Sequence, residues 1–259
     1  MDLNHTNVLV VKVGTSTLTH ENGKLNLRRV EMLCRVLSDL QNSGKKIVLV
    51  SSGAVGVGMG KIGLETRPRG TAKKQALAAI GQCELMFIYD KFFGEYNQNV
   101  AQVLLTADVT AKAGSRRNVV NTFNELLDMN IIPIVNENDT VSVDELNFGD
   151  NDTLSAIVAT LVDADALMIL TDIDGVYDSN PKTNPDAKRI PVIREITEEI
   201  RAMAGGAGSN RGTGGMMTKI RAAEVAAEKH IPTYILAGDD PENLYRIFDG
   251  EDIGTVFDC

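Results

Sequence analysis

The sequence predicts an α/β protein, a three-layer α/β/α sandwich built around a mostly parallel central sheet. Strand-like and helix-like segments alternate through the whole chain, which is the pattern of a sheet covered by helices. The first strand-like segment, residues 8–14, is a nearly continuous apolar run, as expected of a strand buried on both faces. The chain has 259 residues, 43% of them hydrophobic, which is enough for a large core. No repeat or linker divides it, so we expect one domain over residues 1–259.

The elements follow from hydrophobic spacing. Between residues 27 and 40, apolar side chains recur every three or four positions and predict a helix. The same reasoning predicts further helices at about 72–87, 116–129, 153–162 and from a Gly-rich stretch at 205–215 to about residue 230. Predicted strands cover residues 8–14, 46–50, 101–106, 131–135, 166–172 and 232–238, with a short last strand at 255–256. Residues 175–185, rich in Gly, Ser, Asn and Pro, predict a long loop.

Composition excludes several classes of protein. The chain has 26 basic and 35 acidic residues, a net charge of -9, which argues against a general nucleic-acid binder. The three cysteines are far apart and the three histidines lack metal-ligand spacing, so no disulfide framework and no protein metal ligand is predicted. No apolar run reaches about 18 residues, and the N-terminus lacks a signal peptide's basic region. We therefore expect a cytoplasmic protein with neither nucleic acid nor membrane as a partner.

Unusual polar sequences follow four of the predicted strands. They are KVGTST after the first strand, SSGA after the second, NEND after the fourth and TD after the fifth. In a parallel sheet these strand ends lie along one edge, and ligands of such sheets bind outside the carboxyl ends of the strands. The sequence therefore predicts a ligand site at this edge.

Two of these segments allow alternative interpretations. Lys12 is either a lysine whose stem packs while its ammonium group reaches solvent, or a cation beside an anion-binding turn. After the second strand, Gly58, Gly60 and Gly63 match the spacing of a dinucleotide-binding loop. That motif requires strand, glycines and then a helix, whereas here the glycines start well past the strand and a Pro-Arg-Gly segment follows. We interpret the segment from Ser51 as a flexible loop that contacts substrate.

The acidic segment 136–152 is either a solvated loop or a binding loop between a buried strand and a helix. Asp152 suits the N-cap of that helix. Asn151 and Asp139 could bind an ammonium group, and a carboxylate here could orient two phosphate-binding lysines by charge pairing.

The segment 213–219, TGGMMTK, also has two interpretations. Its glycines and the following helix N-terminus suit a phosphate, which Lys219 could reach. The alternative is a Gly-rich loop with a surface lysine. It is not a Walker A motif, whose residue order is absent.

Taken in order, these segments resemble the amino acid kinase family over nearly the whole chain. The resemblance rests on KVGTST at Lys12, SSGA at Ser51, NENDTVS at Asn136, FGDND at Phe148, LTDIDGVY at Leu170 and TGGMMTK at Thr213, with SRRN at Ser115 and NPKTNP at Asn180. The pairing of NEND with GDND is similar to the members that phosphorylate the γ-carboxylate of L-glutamate. The resemblance implies the amino acid kinase fold, with ATP and Mg²⁺ as cofactors. It also implies glutamyl 5-phosphate as the product, at the first step of proline biosynthesis.

The resemblance also implies residue roles. Catalysis would depend on Lys12 and Lys219, which would stabilise the transferred phosphoryl group, and on Asp152, which would hold both lysines. Glutamate would be bound in the N-terminal part, and ATP in the part from about residue 165. The implied glutamate site comprises Ser52, Gly53, Ala54, Asn136, Asp139 and Asn151. The implied ATP site comprises Lys12, Gly14, Thr171, Asp172, Thr213, Gly214, Gly215, Met216, Met217, Thr218 and Lys219.

Regulation and assembly are expectations from the same resemblance. Proline would be a feedback inhibitor, with its determinants in the loop from Gly56 to Lys74. The chain would form a homodimer or homotetramer, could hand its labile product to a glutamyl phosphate reductase, and would lack the RNA-binding type of C-terminal PUA domain that many relatives carry. Two alternatives stay open: a kinase whose acceptor is carbamate, aspartate or N-acetylglutamate, and a non-catalytic amino-acid sensor.

Overall fold

A computed structural model describes residues 3–20, 22–66, 68–107, 111–142, 150–181, 183–205 and 215–259. After a short 3-10 helix at Leu3–His5, the strands are β1 Val8–Val13, β2 Lys46–Val50, β3 Val100–Leu105, β4 Ile132–Glu137, β5 Ala166–Thr171, β6 Val176–Tyr177, β7 Arg189–Ile190, β8 Val192–Ile193, β9 Thr233–Ala237 and β10 Thr255–Phe257. The described helices are α1 Thr15–Leu18, α2 Leu27–Asn42, α3 Ala54–Ile62, α4 Thr71–Glu95, α5 Ala113–Asp128, α6 Asn151–Leu161, α7 Glu198–Gly205, α8 Met216–Ala227 and α9 Asn243–Phe248.

The central sheet has eight strands in the order β3-β4-β2-β1-β5-β9-β10-β8. Every described pairing in it is parallel except the one between β9 and β10. The four strands that precede the polar segments are the neighbours β4, β2, β1 and β5. The prediction that their carboxyl ends meet at one edge is therefore confirmed.

Strand side chains alternate between two cores, one on each face of the sheet. In β1, Leu9 and Val11 pack with helices α2 and α4. Val10 packs instead with α5, α6 and α8. Since successive strand residues point to opposite faces, Lys12 lies on the same face as Val10, beneath α6. The predicted three-layer sandwich is confirmed.

One predicted loop is a helix. The segment from Ser51 was expected to form a flexible loop, but α3 occupies Ala54–Ile62. The reason is packing against α4: a β-carbon at Gly58 would lie 2.0 Å from the carbonyl oxygen of Leu77, and one at Gly81 would lie 1.8 Å from that of Ala54. Only glycine allows the two helices to approach this closely, so the glycines mark a helix crossing.

Other differences are smaller. The predicted loop at 175–185 contains β6, which pairs with β7, and the sequence did not predict α1, α7, α9, β7 or β8. The Gly-rich stretch at 206–214 lies outside the described residues. Among the described residues, no helix combines the length and apolar character required to cross a membrane.

Candidate active site

The first turn of α6 lies at the carboxyl edge of the sheet and forms the centre of the candidate site. Asp150 is the N-cap, since its Oδ1 accepts a hydrogen bond from the Thr153 N–H at 2.8 Å. The prediction that Asp152 is the cap is therefore wrong by two residues. Asp152 lies instead in the first helical turn and is 1% exposed. The positive end of the helix dipole favours a carboxylate at this position.

The carboxylate of Asp152 joins two buried lysines from distant parts of the chain. Lys12 Nζ lies 2.6 Å from its Oδ1, and Lys219 Nζ lies 3.1 Å from its Oδ2. The hydroxyl of Thr218 donates to the same Oδ2 at 2.7 Å. Lys12 and Lys219 are 6% and 4% exposed, so neither ammonium group is a surface charge. The structure thus rejects the interpretation of Lys12 as reaching solvent and of Lys219 as a surface lysine.

Opposing effects set the charge states of this cluster. Burial by itself raises the pKa of Asp152, but the two lysines overcome it and lower that pKa to about 2. Burial is the largest effect on Lys12 and, with repulsion from Lys219, lowers its pKa despite the attraction of Asp152. Two ammonium groups therefore share one directly contacting carboxylate in a desolvated setting, and the nearby Asp150 attracts Lys12 more weakly than Asp152 does. Such a cluster suits an anionic ligand.

A second group of polar side chains begins at the residue next to Asp152. Asn151 Nδ2 lies 2.7 Å from the carbonyl oxygen of Ser51, 2.9 Å from Ser52 Oγ and 2.9 Å from Asn136 Oδ1. Asn136 in turn donates from Nδ2 to Gln82 Oε1 at 2.8 Å. These bonds bring the ends of β2 and β4 together with α6 and α4.

Two consecutive residues at the start of α6, Asn151 and Asp152, thus face different groups of polar side chains. Successive helix residues point about 100° apart, so Asn151 faces the ends of β2 and β4 while Asp152 faces the lysine pair. A ligand polar group held beside Asn151 would lie next to the positive cluster. This arrangement suits the transfer of an anionic group between two adjoining sites.

The remaining residues predicted for glutamate lie around this amide group. Gly53 is the N-cap of α3 with φ 97°, in the left-handed region that favours glycine. Ala54 begins α3 and is buried. Asp139 is half-buried in the turn that follows β4. Ser52, Asn136 and Asn151 are brought into direct contact, whereas Gly53, Ala54 and Asp139 lie at the adjoining chain segments.

The residues predicted for ATP lie at the ends of β1 and β5 and at the start of α8. A β-carbon at Gly14 would lie 3.6 Å from Lys12 Nζ and 4.0 Å from the Leu170 carbonyl oxygen, so the end of β1 adjoins that of β5. Thr171 Oγ1 donates to Asp172 Oδ1 at 3.1 Å. The start of α8 supplies Gly215 as N-cap, followed by Met216, Met217, Thr218 and Lys219. Thr213 and Gly214 lie outside the described residues.

Three features of the site were not predicted. The first is the capping role of Asp150. The sequence GDND contains two aspartates, either of which could be the N-cap, and the local pattern does not choose between them. The bond from Thr218 to Asp152 joins residues 66 positions apart, which no local pattern encodes. Gln82 lies on α4 and has no local feature that distinguishes it from other polar residues of that helix.

Comparison with known proteins gives an independent view. Residues 7–237 match the amino acid kinase family. The glutamate 5-kinase of Clostridium perfringens is 61% identical over 96% of this chain and 94% of its own length. That of Listeria monocytogenes serotype 4a is 56% identical over 96% of this chain and 92% of its own length.

Solved structures agree on the fold. Isopentenyl phosphate kinase of T. acidophilum superposes with a TM-score of 0.68 at 18% identity, over 97% of this chain and all of that one. UMP kinase of Bacillus anthracis gives a TM-score of 0.64 at 17% identity, over 98% of this chain and 96% of its own. At these identities the similarity concerns the fold alone.

Proposed function

The chain belongs to the amino acid kinase family, and we propose that it transfers the γ-phosphoryl group of ATP to the γ-carboxylate of L-glutamate. Glutamyl 5-phosphate and ADP would be the products, at the first step of proline biosynthesis. Relatives named glutamate 5-kinase, 52–61% identical over nearly the whole chain, support the choice of substrate. The single observation that supports the chemistry most strongly is the Lys12–Asp152–Lys219 cluster beside the Asn151 amide group.

The proposed reaction needs no general base, because a carboxylate is ionised at neutral pH and is already a nucleophile. One γ-carboxylate oxygen forms a bond to the γ-phosphorus, and the bond from that phosphorus to the β-phosphate oxygen breaks, which leaves ADP. The obstacle is repulsion between the carboxylate and the phosphates. Lys12 and Lys219 would stabilise the negative charge on the transferred group, and Asp152 would hold the lysines in place. Phosphoryl transfer depends mainly on such positioning and electrostatics.

In this proposal glutamate lies on the amide side of α6, next to Ser52, Asn136, Asn151 and the segments of Gly53, Ala54 and Asp139. ATP lies on the side of Gly14, Thr171, Asp172 and the start of α8. Lys12 and Lys219 lie at the boundary between the two sites. The division into an N-terminal glutamate part and a C-terminal ATP part from about residue 165 belongs to the same proposal.

The fit of Mg²⁺ depends on the carboxylates of the site. Among the described residues, no group of three or more His, Cys, Asp and Glu side chains could hold a metal ion. Both oxygens of Asp152 are engaged by the lysines and Thr218. Mg²⁺ commonly binds through phosphate oxygens and retains waters, so these residues fit an ion that enters with ATP. When bound it would neutralise part of the phosphate charge.

The experiment that tests the proposal is an ADP-release assay with glutamate, aspartate, carbamate and N-acetylglutamate as acceptors. Hydroxylamine in the same mixture would trap an acyl phosphate as a hydroxamate. We expect ADP release that depends on glutamate and hydroxamate formation at the same rate. Faster turnover with another acceptor would contradict the choice of substrate, and glutamate binding without ADP release would favour an amino-acid sensor.

Proline inhibition, a homo-oligomeric state, a cytoplasmic location and transfer of product to a reductase extend the same proposal. Proline would compete for the amide side of the site, so it should raise the KM for glutamate and leave kcat unchanged. Substitutions between residues 56 and 74 should alter this inhibition, because α3 starts directly after Ser52 and Gly53. Unchanged inhibition in such variants would contradict that assignment.

A further inference from the structure

We propose that Gln82 is a positioning residue that stabilises the orientation of the substrate-binding amides, an inference that rests on the proposed function. Gln82 lies on α4 and, among the described residues, is hydrogen-bonded to the site through Asn136, whose Nδ2 donates to Gln82 Oε1 at 2.8 Å. The side-chain amides of Asn151, Asn136 and Gln82 are joined in that order by hydrogen bonds, and we call them the amide series. Gln82 is the member of the series farthest from Asn151.

Two backbone groups determine which way the side-chain amides of Asn136 and Asn151 are turned. The N–H of Glu137 donates to the side-chain oxygen of Asn136 at 2.9 Å, so that oxygen must face Glu137. The carbonyl oxygen of Ser51 accepts from Asn151 at 2.7 Å, so Asn151 must turn its Nδ2 toward it. A backbone N–H only donates and a carbonyl oxygen only accepts, so neither amide can be reversed without losing a bond.

The orientation of the two amides determines which atom Asn136 presents to α4 and which atom Asn151 presents to a ligand. Asn136 is 2% exposed, and its Nδ2 then points to α4, where Gln82 supplies the acceptor. The Nδ2 group of Asn151 donates to protein oxygens, and its Oδ1 lies at the opposite edge of the amide group. An amide oxygen is an acceptor and recognises a donor, such as the ammonium group of an amino acid, rather than a carboxylate. Gln82 therefore acts through Asn136 on the binding polarity of Asn151.

The position of Gln82 on α4 is itself rigid. Its neighbour Gly81 packs against the first residue of α3, where a β-carbon would lie 1.8 Å from the carbonyl oxygen of Ala54. This close crossing ties the backbone at Gln82 to the segment that follows Ser52. The backbone at Gln82 is thus placed next to the segment that follows Ser52, and the bond to Asn136 orients its side-chain oxygen.

The test compares Gln82→Met, which removes the acceptor at similar volume, with Gln82→Glu, which keeps one. An unsatisfied buried amide is costly, so Asn136 should reorient in the Met variant. We expect Gln82→Met to raise the KM for glutamate about 10-fold with kcat and the KM for ATP nearly unchanged. Gln82→Glu should restore most of the loss. Lys91→Met, an exposed site on the same helix, is the matched control and should behave as the wild type.

Thermal unfolding separates a positioning role from a structural one. The midpoint of Gln82→Met should stay within a few degrees of the wild type. A fall in stability and kcat together with a rise in both KM values would overturn the inference. An unchanged KM for glutamate in an active Gln82→Met enzyme would overturn the inference about Gln82 and leave the proposed function standing. A KM for glutamate in Gln82→Glu as high as that of Gln82→Met would have the same meaning. A wild type without glutamate-dependent ADP release would overturn the proposed function and this inference together.

Discussion

Replacing Asp152 with Asn removes one negative charge from between two buried ammonium groups at nearly constant volume. The lysines lower the pKa of Asp152 from 3.8 to about 2, and each pKa unit is worth about 1.4 kcal/mol. The ionised carboxylate thus contributes about 2 kcal/mol to stability at neutral pH. Removing one partner of a buried ion pair commonly costs about 3–5 kcal/mol. Burial already lowers the pKa of Lys12, so part of this charge can be shed by losing a proton.

We therefore expect Asp152→Asn to lower the free energy of unfolding by about 2–4 kcal/mol. In a chain of this size that corresponds to a fall of roughly 5–15 °C in the melting temperature. The kcat should fall at least about 100-fold, the usual effect of losing one preorganised electrostatic contact. Asp90→Asn, at an exposed position of α4, changes the net charge equally and should alter neither quantity.

A non-hydrolysable ATP analogue makes the test sharper. Its phosphates would supply the negative charge that the variant lacks, so the analogue should raise the melting temperature of Asp152→Asn by more than that of the wild type. Differential scanning fluorimetry with and without the analogue measures this difference. Equal stabilisation of both proteins, or a variant as stable as the wild type, would refute the view that Asp152 neutralises the lysine pair.

Three further predictions concern single positions. Lys219→Ala should lower kcat at least about 100-fold in the ADP-release assay. The control Lys229→Ala, at an exposed position just beyond the same helix, should leave kcat unchanged. Near-normal turnover of folded Lys219→Ala would contradict the role of Lys219. Gly81→Ala should destabilise the protein in chemical denaturation because its β-carbon would lie 1.8 Å from a carbonyl oxygen of α3, whereas Gly94→Ala on the same helix meets nothing within 4 Å and should be neutral or stabilising by up to about 1 kcal/mol. The lowered pKa of Asp152 means that its stabilising effect is present above pH 3.8 and is lost as the pH falls toward 2. The stability difference between wild type and Asp152→Asn should therefore shrink across that window in acid unfolding, and a constant difference would count against it.

The carboxyl edge of the central sheet could be predicted from the sequence because the patterns that indicate it are local. Strand β1 is apolar apart from Lys12, and its buried pattern marks a central strand without any knowledge of its partners. Polar residues directly after four such strands then had to converge, since parallel strands place their carboxyl ends together. The hydrophobic period of each element was sufficient to place this edge, and the resemblance added the roles of Lys12, Asp152 and Lys219.

The N-cap of α6 was misplaced by a local choice between two aspartates, whereas the failed loop prediction depended on contacts between distant segments. Gly58 and Gly60 indicate a loop when helix propensity is considered alone, because glycine disfavours a helix interior. Tertiary packing decides otherwise, since α4 approaches so closely that Gly58 leaves no space for a side chain. Similarly, the bonds from Thr218 to Asp152 and from Asn136 to Gln82 depend on how helices are placed on the sheet.

The placement of charge explains how an acidic chain can serve two anionic substrates. The net charge of -9 would repel both a triphosphate and a dicarboxylate at long range. Solvent and salt screen that repulsion within about 10 Å, whereas Lys12 and Lys219 are buried and act at short range with little screening. The Asp152 carboxylate contacts both lysines in the free protein, yet it balances only one positive charge. The remaining positive charge at the boundary between the two proposed sites would be balanced when the phosphates enter, so binding and the positioning of the transferred group depend on the same three side chains.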